Sequence, residues 1–257
     1  MQDIKYLIGM CALVSLLVGS AFSASPPRVR ATGPKGKCDL KKMDKCAVTV
    51  MVFGRRDVYL PVNTKEMVPH CQEEFDAERC VKDIARKCLK PLPRQLLGII
   101  MLGANQVIKQ RCSADGTLEY LSHYKCIKTT IPELHDCMDQ LVVSLEEITR
   151  KPANDRIPSA CCSFSRYISC SIRPIKKYCK DDPGAENYIA VKMIKGYASE
   201  VLDLACQGYE MGSDKCSKLT LPDGGFKTVN GELEMYRNVT DRSFSLLPPF
   251  IDIFTQQ

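Results

Sequence analysis

The number and spacing of the cysteines limit the possible folds of this chain more than any other feature. Its 257 residues include 15 cysteines, of which Cys11 lies in an apolar N-terminal segment. The other fourteen form an even set, which in an exported chain is typical of disulfides, so we expect seven bridges. No two of them form a C-x-x-C pair and the three histidines are scattered, which argues against zinc sites. The predicted disulfide residues are Cys38, Cys46, Cys71, Cys80, Cys88, Cys112, Cys126, Cys137, Cys161, Cys162, Cys170, Cys179, Cys206 and Cys216.

Two pairs of cysteines predict a stapled helical hairpin. Cys38 and Cys46 are eight residues apart, and so are Cys80 and Cys88. Eight residues make about two helical turns, so the members of each pair share one face of a helix. In an antiparallel hairpin, the residue numbers of any two facing residues add up to the same total. The pairs Cys38–Cys88 and Cys46–Cys80 satisfy this condition, so we predict these two bridges.

A second stapled pair of helices is predicted around Cys162 and Cys170, which repeat the spacing of eight residues. Cys126 and Cys137 are the expected partners. They lie eleven residues apart, which is about three turns, so the sequence leaves the register of this pair open.

The fold class follows from the apolar pattern, which has a helical period in most of the chain and no convincing period of two. We predict an all-α, disulfide-stapled bundle of about six to seven helices. Thr130, Pro132 and Glu133 have the pattern of a helix start with a capping box, and Asp182-Pro183 is expected to open the longest helix. The segment "ADGT" (114–117) is expected to break the chain. Three glycines inside predicted helices indicate close helix packing, namely Gly98, Gly103 and Gly196.

The N-terminus has the composition of a signal peptide. Lys5 precedes an apolar run over residues 6–18, and the small residues Ala21 and Ser23 favour cleavage after Ser23. The run is shorter than the ~20 residues that a membrane-spanning helix needs. We therefore predict a secreted, extracellular protein without a membrane span. The predicted organisation is a signal peptide (1–23), a basic flexible arm (24–37), a cysteine-rich helical domain (38–216) and a C-terminal tail without cysteine (217–257).

The predicted arm concentrates much of the net charge of +6. A solvated tail is one interpretation, and contact with polyanions such as glycosaminoglycans or anionic lipid headgroups is the other. No specific nucleic-acid partner is predicted. The residues of this possible contact are Arg28, Arg30, Lys35, Lys37, Lys41 and Lys42.

Motifs for catalysis do not emerge from the sequence. Adjacent cysteines in "ACCSFSRYISCS" (160–171) also open a helix in secreted phospholipases, but Ser165 and Arg166 stand where their His-Asp pair would be. His135 and Asp136 follow no cysteine pair, and no G-x-S-x-G, H-E-x-x-H, phosphate-binding or EF-hand pattern is present. We therefore predict a non-enzymatic protein, with no catalytic, cofactor-binding or metal-binding residues.

Four features of the sequence recur together in one known family. They are a cysteine pair, an aromatic turn, a third cysteine and a final helix that ends in cysteine. Over residues 38–216 the chain resembles the arthropod family of secreted, cysteine-rich helical proteins that includes lepidopteran hemolymph glycoproteins. The resemblance implies an extracellular compartment and a helical fold, and it implies no activity. The residues that carry it are Cys161, Cys162, Phe164, Tyr167, Cys170 and Cys206.

Three functions are compatible with these patterns. The first is a secreted hemolymph or secretion component that acts through its surface or as a carrier of a small apolar ligand, with "LLGIIMLGA" (96–104) either lining a cavity or forming ordinary core. The second is an effector that binds polyanions or membrane surfaces through the basic arm. The third, a hydrolase without a recognisable motif, is the least favoured.

The sequon Asn238-Val239-Thr240 predicts a glycoprotein, because an exported chain meets the glycosylation machinery and the segment contains no cysteine. Treatment of protein secreted from insect cells with an N-glycosidase is expected to increase its gel mobility. The variant Asn238→Gln is expected to remove this shift. Fully secreted protein that shows no shift would contradict the prediction.

Overall fold

The computed structural model of the protein describes residues 38–238 and 242–255, except Val52, Arg55 and Val58. The predicted signal peptide and basic arm lie outside the described residues, and so do Val239 and Thr240 of the sequon. Of the predicted polyanion contact, Lys41 and Lys42 are described and are exposed.

Helices make up most of the described chain. The first six are α1 (Leu40–Val50), α2 (Thr64–Cys88), α3 (Pro91–Arg111), α4 (Ala114–Ser122), α5 (Tyr124–Ile148) and α6 (Ala153–Tyr178). A π-helix (Asn187–Lys195) runs directly into α7 (Gly196–Ala205), followed by α8 (Asp214–Ser217), β1 (Phe226–Val229), β2 (Glu232–Met235) and α9 (Leu247–Thr255). The predicted all-α, disulfide-stapled bundle is confirmed, with more helices than the six to seven expected. Among the described helices, none is long and apolar enough to cross a membrane.

Polar caps fix where two helices begin. The Asn63 side chain accepts a hydrogen bond from the Glu66 amide at 3.0 Å and donates one to its carboxylate at 2.8 Å, so α2 starts at Thr64. Ser113 accepts from the Gly116 amide at 3.1 Å and starts α4. The expected break at "ADGT" is therefore wrong, because these residues form the first turn of a helix.

The predicted helix start at Thr130 is also wrong, because α5 runs without interruption from Tyr124 and contains Pro132. The Thr130 hydroxyl donates to the carbonyls of Cys126 and Ile127 at 3.0 and 3.1 Å, so it bonds the preceding turn instead of capping a new helix. The helix expected after Asp182-Pro183 is present, but it begins as the π-helix, and the longest helix is α6, with 26 residues.

The disulfides join facing positions of neighbouring helices. Cys38 bonds Cys88 and Cys46 bonds Cys80, the two pairs that the spacing predicts, and they hold α1 antiparallel to α2. Cys71–Cys112 adds α3 to these helices. In all seven bridges the two Cα atoms are 5.2 to 6.1 Å apart, within the normal range of disulfides.

The second stapled pair contains one bridge between the four cysteines of the prediction. Cys170 bonds Cys137, a pairing that the open register allowed, but Cys126 bonds Cys179, at the end of α6, and Cys162 bonds Cys216 in α8. The register explains the difference. Near Cys162 the antiparallel helix α5 presents Ser144, whose hydroxyl accepts a hydrogen bond from Arg166 at 2.8 Å, one turn after Cys162.

The bridges fall into two sets, and each set cross-links one half of the bundle. Three of them connect α1, α2 and α3, which we call the N-half. Four connect α5, α6, the end of α7 and α8, which we call the C-half, with Cys161–Cys206 as its link to α7. Among the described residues, which include all fourteen of these cysteines, no bridge joins the halves.

The halves meet through close packing of α3 on α7. A Cβ atom added to Gly103 would lie 2.8 Å from the Tyr197 carbonyl oxygen, and one added to Gly196 would lie 2.7 Å from Val107 Cγ2. Close packing therefore explains these two glycines as predicted. Gly98 has nothing within 4 Å of the position of such an atom, so packing does not explain it.

The chain after Cys216 packs on both halves. Its β-hairpin turns at Asn230 and Gly231, which both have positive φ angles, and Phe226 of β1 is buried. In α9, Leu247 and Ile253 are fully buried, and the helix contacts α1, α3, α5 and α6. The tail predicted from the absence of cysteine is thus held by noncovalent contacts.

A buried carboxylate anchors the start of α9. Asp44 of α1 accepts hydrogen bonds from the Phe244 amide at 2.7 Å and from the amide and hydroxyl of Ser245 at 2.8 and 2.6 Å. Asp139 of α5 pairs with Arg242 in the same segment. We call these contacts of Asp44 and Asp139 the latch.

Alanine at the two glycines of α3 is expected to have opposite effects on stability. Gly98→Ala should raise the free energy of unfolding by about 0.5–1 kcal/mol, because helix propensity improves and the site is open. Gly103→Ala should lower it, because the new methyl group meets backbone atoms that cannot move without separating α3 from α7. Guanidinium unfolding with the disulfides intact measures both values, and stabilisation by Gly103→Ala would contradict the proposed packing.

Candidate ligand-binding site

An apolar cavity lies where α9 covers the seam between the two halves. Its volume is about 70 Å³. The C-half supplies most of the lining, including Leu141 and Ala160, while Met51 and Ile100 come from the N-half. α9 and the residue before it close the remaining side with Leu246, Phe250 and Phe254.

The walls of this cavity carry no charge. Its only polar side chains are Tyr167 and Tyr197. Burial raises the pKa of the Tyr167 hydroxyl and raises the pKa of Tyr197 to about 12, although Arg111 acts on Tyr197 in the opposite direction. Both phenols are therefore protonated at neutral pH, and the cavity suits an apolar group.

The predicted lining of a ligand cavity is mostly misplaced. Of residues 96–104, Ile100 lines the apolar cavity, whereas Leu97, Met101 and Ala104 belong to the core between α1, α2, α3 and α7. The stripe expected as either cavity or core is thus mainly core. The cavity lining comes from separate parts of the sequence, so a single apolar run does not reveal it.

An open cleft of about 550 Å³ adjoins the apolar cavity. Phe164, Leu202 and the Cys161–Cys206 disulfide line both spaces and form the wall between them. The cleft itself is mixed in character, since Lys195 and Glu210 also line it. On this side a covalent bond holds the wall, whereas on the opposite side α9 is held by the latch and by apolar contacts.

A second cavity, of about 60 Å³, is polar and lies on the same seam. We call it the polar pocket. Its charged centre is Glu74 of α2, which pairs with Arg111 at the end of α3. His70 Nε2 lies 3.5 Å from Glu74 Oε1, and Tyr120 of α4 lines the opposite part of the pocket. Glu74, Arg111 and Tyr120 are each at most 6% exposed.

Three polar atoms in the polar pocket have hydrogen-bonding capacity that the described part of the protein does not use. Glu74 Oε2, Arg111 Nε and the Tyr120 hydroxyl are buried and have no hydrogen-bond partner among the described residues. Burial alone would raise the pKa of Glu74, but Arg111 and His70 outweigh it and hold that pKa below its usual value. Burial raises the pKa of Tyr120. The pocket therefore combines an ionised, mutually neutralised pair with a neutral phenol.

Sequence reasoning did not find the polar pocket. Acidic residues are common near a helix start, so the sequence alone does not single out Glu74, and Arg111 lies 37 residues further along the chain. A buried position of Glu74 between Cys71 and Ala77 on an apolar helix face was the only available signal.

Other candidate residues are placed as follows. Glu74 lies near both sulfurs of Cys71 and Cys112, with ligand atoms within 4.8 Å of one another, but the two sulfurs are bonded to each other and are not thiolates. His123 Nδ1 lies 2.8 Å from Asp182, in a pair that joins α4 to the start of the π-helix. Asn238 of the predicted sequon is exposed.

His135, the histidine of the only His-Asp neighbours in the sequence, is buried. Its Nδ1 lies 2.7 Å from the Phe53 carbonyl oxygen. Because a carbonyl oxygen only accepts, Nδ1 carries the proton. Burial lowers the pKa of His135, and the hydrogen bond to Phe53 offsets this only in part.

No family model, curated protein or solved structure matches this chain. The resemblance to the hemolymph glycoproteins therefore stays a prediction, and the arguments about function rest on the geometry of the chain itself.

Acidification is expected to destabilise the fold through His135. An unfolded histidine titrates near 6.5, and the folded pKa is lower, so the unfolded state binds the proton first. Stability should fall as the pH drops below about 6.5 and level off below the folded pKa. Denaturation midpoints at several pH values between 7.5 and 5 measure this, and His135→Gln should lose less stability over the range. An equal loss in His135→Gln would contradict the assignment.

Proposed function

We propose that the protein is an exported binding protein that carries a small apolar ligand in the cavity beneath α9, without converting it chemically. The observation that carries the proposal is the uncharged cavity itself, which lies between two halves that no disulfide joins and is closed by a helix that no disulfide holds. The seven bridges support export, because disulfides persist in oxidising compartments.

The size of the cavity determines how a ligand is accommodated. An engineered cavity of ~150 Å³ in another protein binds benzene, whereas the cavity beneath α9 has about 70 Å³. The closed form therefore has room for only part of a ligand. Binding requires outward movement of a wall, and α9 is a wall that no disulfide holds.

The contacts of α9 are suited to such movement. Phe250 and Phe254 stack with ring centroids 4.5 Å apart and are only partly buried, so they form the outer cover of the cavity. The latch holds the start of the helix by hydrogen bonds and an ion pair. Segments with few covalent and buried contacts open at lower free energy than the whole fold.

A cavity-filling variant tests the proposal. The fluorescent neutral probe N-phenyl-1-naphthylamine is expected to bind the full chain with a saturable rise in emission. Ala160→Leu, which adds bulk to the cavity wall, should weaken binding at least about ten-fold, since a cavity of this size lacks room for both groups. Ala153→Leu, an exposed position on the same helix, is the matched control and should bind as the parent protein does.

Absence of saturable binding to the parent protein would contradict a carrier of apolar ligands. Equal binding by all three proteins would instead show that the probe occupies another site. Circular dichroism and thermal unfolding of the variants establish that a loss of binding does not arise from a loss of the fold.

A further inference from the structure

The apolar cavity and the polar pocket are neighbours separated by a flexible side chain. Met51, at the end of α1, lines both of them. Tyr197 of the apolar cavity lies close enough to Arg111 of the polar pocket that the guanidinium charge lowers the pKa of its hydroxyl against the effect of burial. A methionine side chain adapts its shape easily, so movement of Met51 would join the two spaces.

The polar pocket offers both a donor and an acceptor to a bound molecule. Glu74 Oε2 accepts hydrogen bonds, while Arg111 Nε donates and the Tyr120 hydroxyl does either. All three atoms are buried, so leaving them without a partner is costly. A group that donates one hydrogen bond and accepts another satisfies them best.

The charge balance of the pocket selects a neutral group. Glu74 and Arg111 already form an ion pair, and both are buried, whereas Glu73, the other carboxylate in the lining, is exposed to solvent. A carboxylate would bring an additional charge into this environment next to Glu74, and burying an uncompensated charge is costly. A hydroxyl group has the required donor and acceptor and carries no charge.

We propose that the ligand is a neutral amphiphile with a hydroxyl group at one end, whose apolar part occupies the cavity beneath α9 and whose hydroxyl binds Glu74, Arg111 and Tyr120. This inference rests on the proposed carrier function and assigns the chemical class of its ligand. The hydroxyl donates to Glu74 Oε2 and accepts from Arg111 Nε or from Tyr120. Met51 moves aside to let the ligand pass between the two spaces.

Displacement of N-phenyl-1-naphthylamine by two ligands with equal chains tests the inference. At pH 7.5, where the acid is ionised, 1-decanol is expected to displace the probe at a concentration at least about ten-fold lower than decanoate, because the pocket accepts a neutral group and excludes a charge. Equal or stronger displacement by decanoate would overturn the inference.

Removal of one hydroxyl locates the binding group. Tyr120→Phe is expected to weaken the binding of 1-decanol about five-fold, as the loss of one neutral hydrogen bond would, and to leave the affinity for the probe unchanged. Tyr188→Phe is the matched control. Its hydroxyl is also buried without a partner near Arg111, but it lines a different and smaller space, so the variant should bind 1-decanol as the parent protein does.

The outcomes separate the two proposals. Two results would overturn the hydroxyl assignment and leave the carrier function standing. In the first, the probe binds but 1-decanol displaces it no better than decanoate does. In the second, Tyr120→Phe and Tyr188→Phe change the affinity for 1-decanol equally. Absence of probe binding would overturn the carrier function and, with it, the hydroxyl assignment.

Discussion

The arrangement of the molecule depends on covalent bonds between facing helix positions. Such bonds form only where two Cα atoms approach within about 7 Å, so each one fixes the register of the helices it joins. Cys38–Cys88 and Cys46–Cys80 set α1 against α2, and Cys126–Cys179 and Cys137–Cys170 set α5 against α6. Because the bridges stay within the N-half or within the C-half, the internal geometry of each half is fixed while the contact between them rests on packing.

The apolar cavity and the polar pocket both lie on the seam between the N-half and the C-half, for a physical reason. Inside a half, the cross-links and the packed core leave little space, whereas at the seam the surfaces of two preformed bodies must fit by packing alone. Met51 and Ile100 of the N-half face Leu141 and Ala160 of the C-half across the apolar cavity. The polar pocket is lined by Glu74 and Arg111 of the N-half and by Ile127 and Ile131 of the C-half. A ligand bound there would touch both halves.

Sequence analysis succeeded where regular geometry connects residue number with position. The rule of constant sums predicts the two bridges between α1 and α2, since the cysteines of each segment lie two helical turns apart and share one face. It does not apply to Cys162, whose partner Cys216 lies beyond the end of α7.

The capping box at Thr130 failed because tertiary packing and the Cys126 bridge extend α5 through Pro132. The Asn-Gly pair in the tail indicated a β-hairpin that the all-helical interpretation overlooked. The Glu74–Arg111 pair joins distant residues, which no local pattern predicts.

The separation of the bridges into two halves has a consequence for biosynthesis. All cysteines of the N-half precede residue 113, so this half can complete its oxidation while the ribosome is still adding the C-half. Mispairing between halves becomes rarer when early thiols are consumed before late ones appear. α9 is translated after every bridged cysteine. The N-half can therefore be cross-linked before the helix that covers the apolar cavity has been translated.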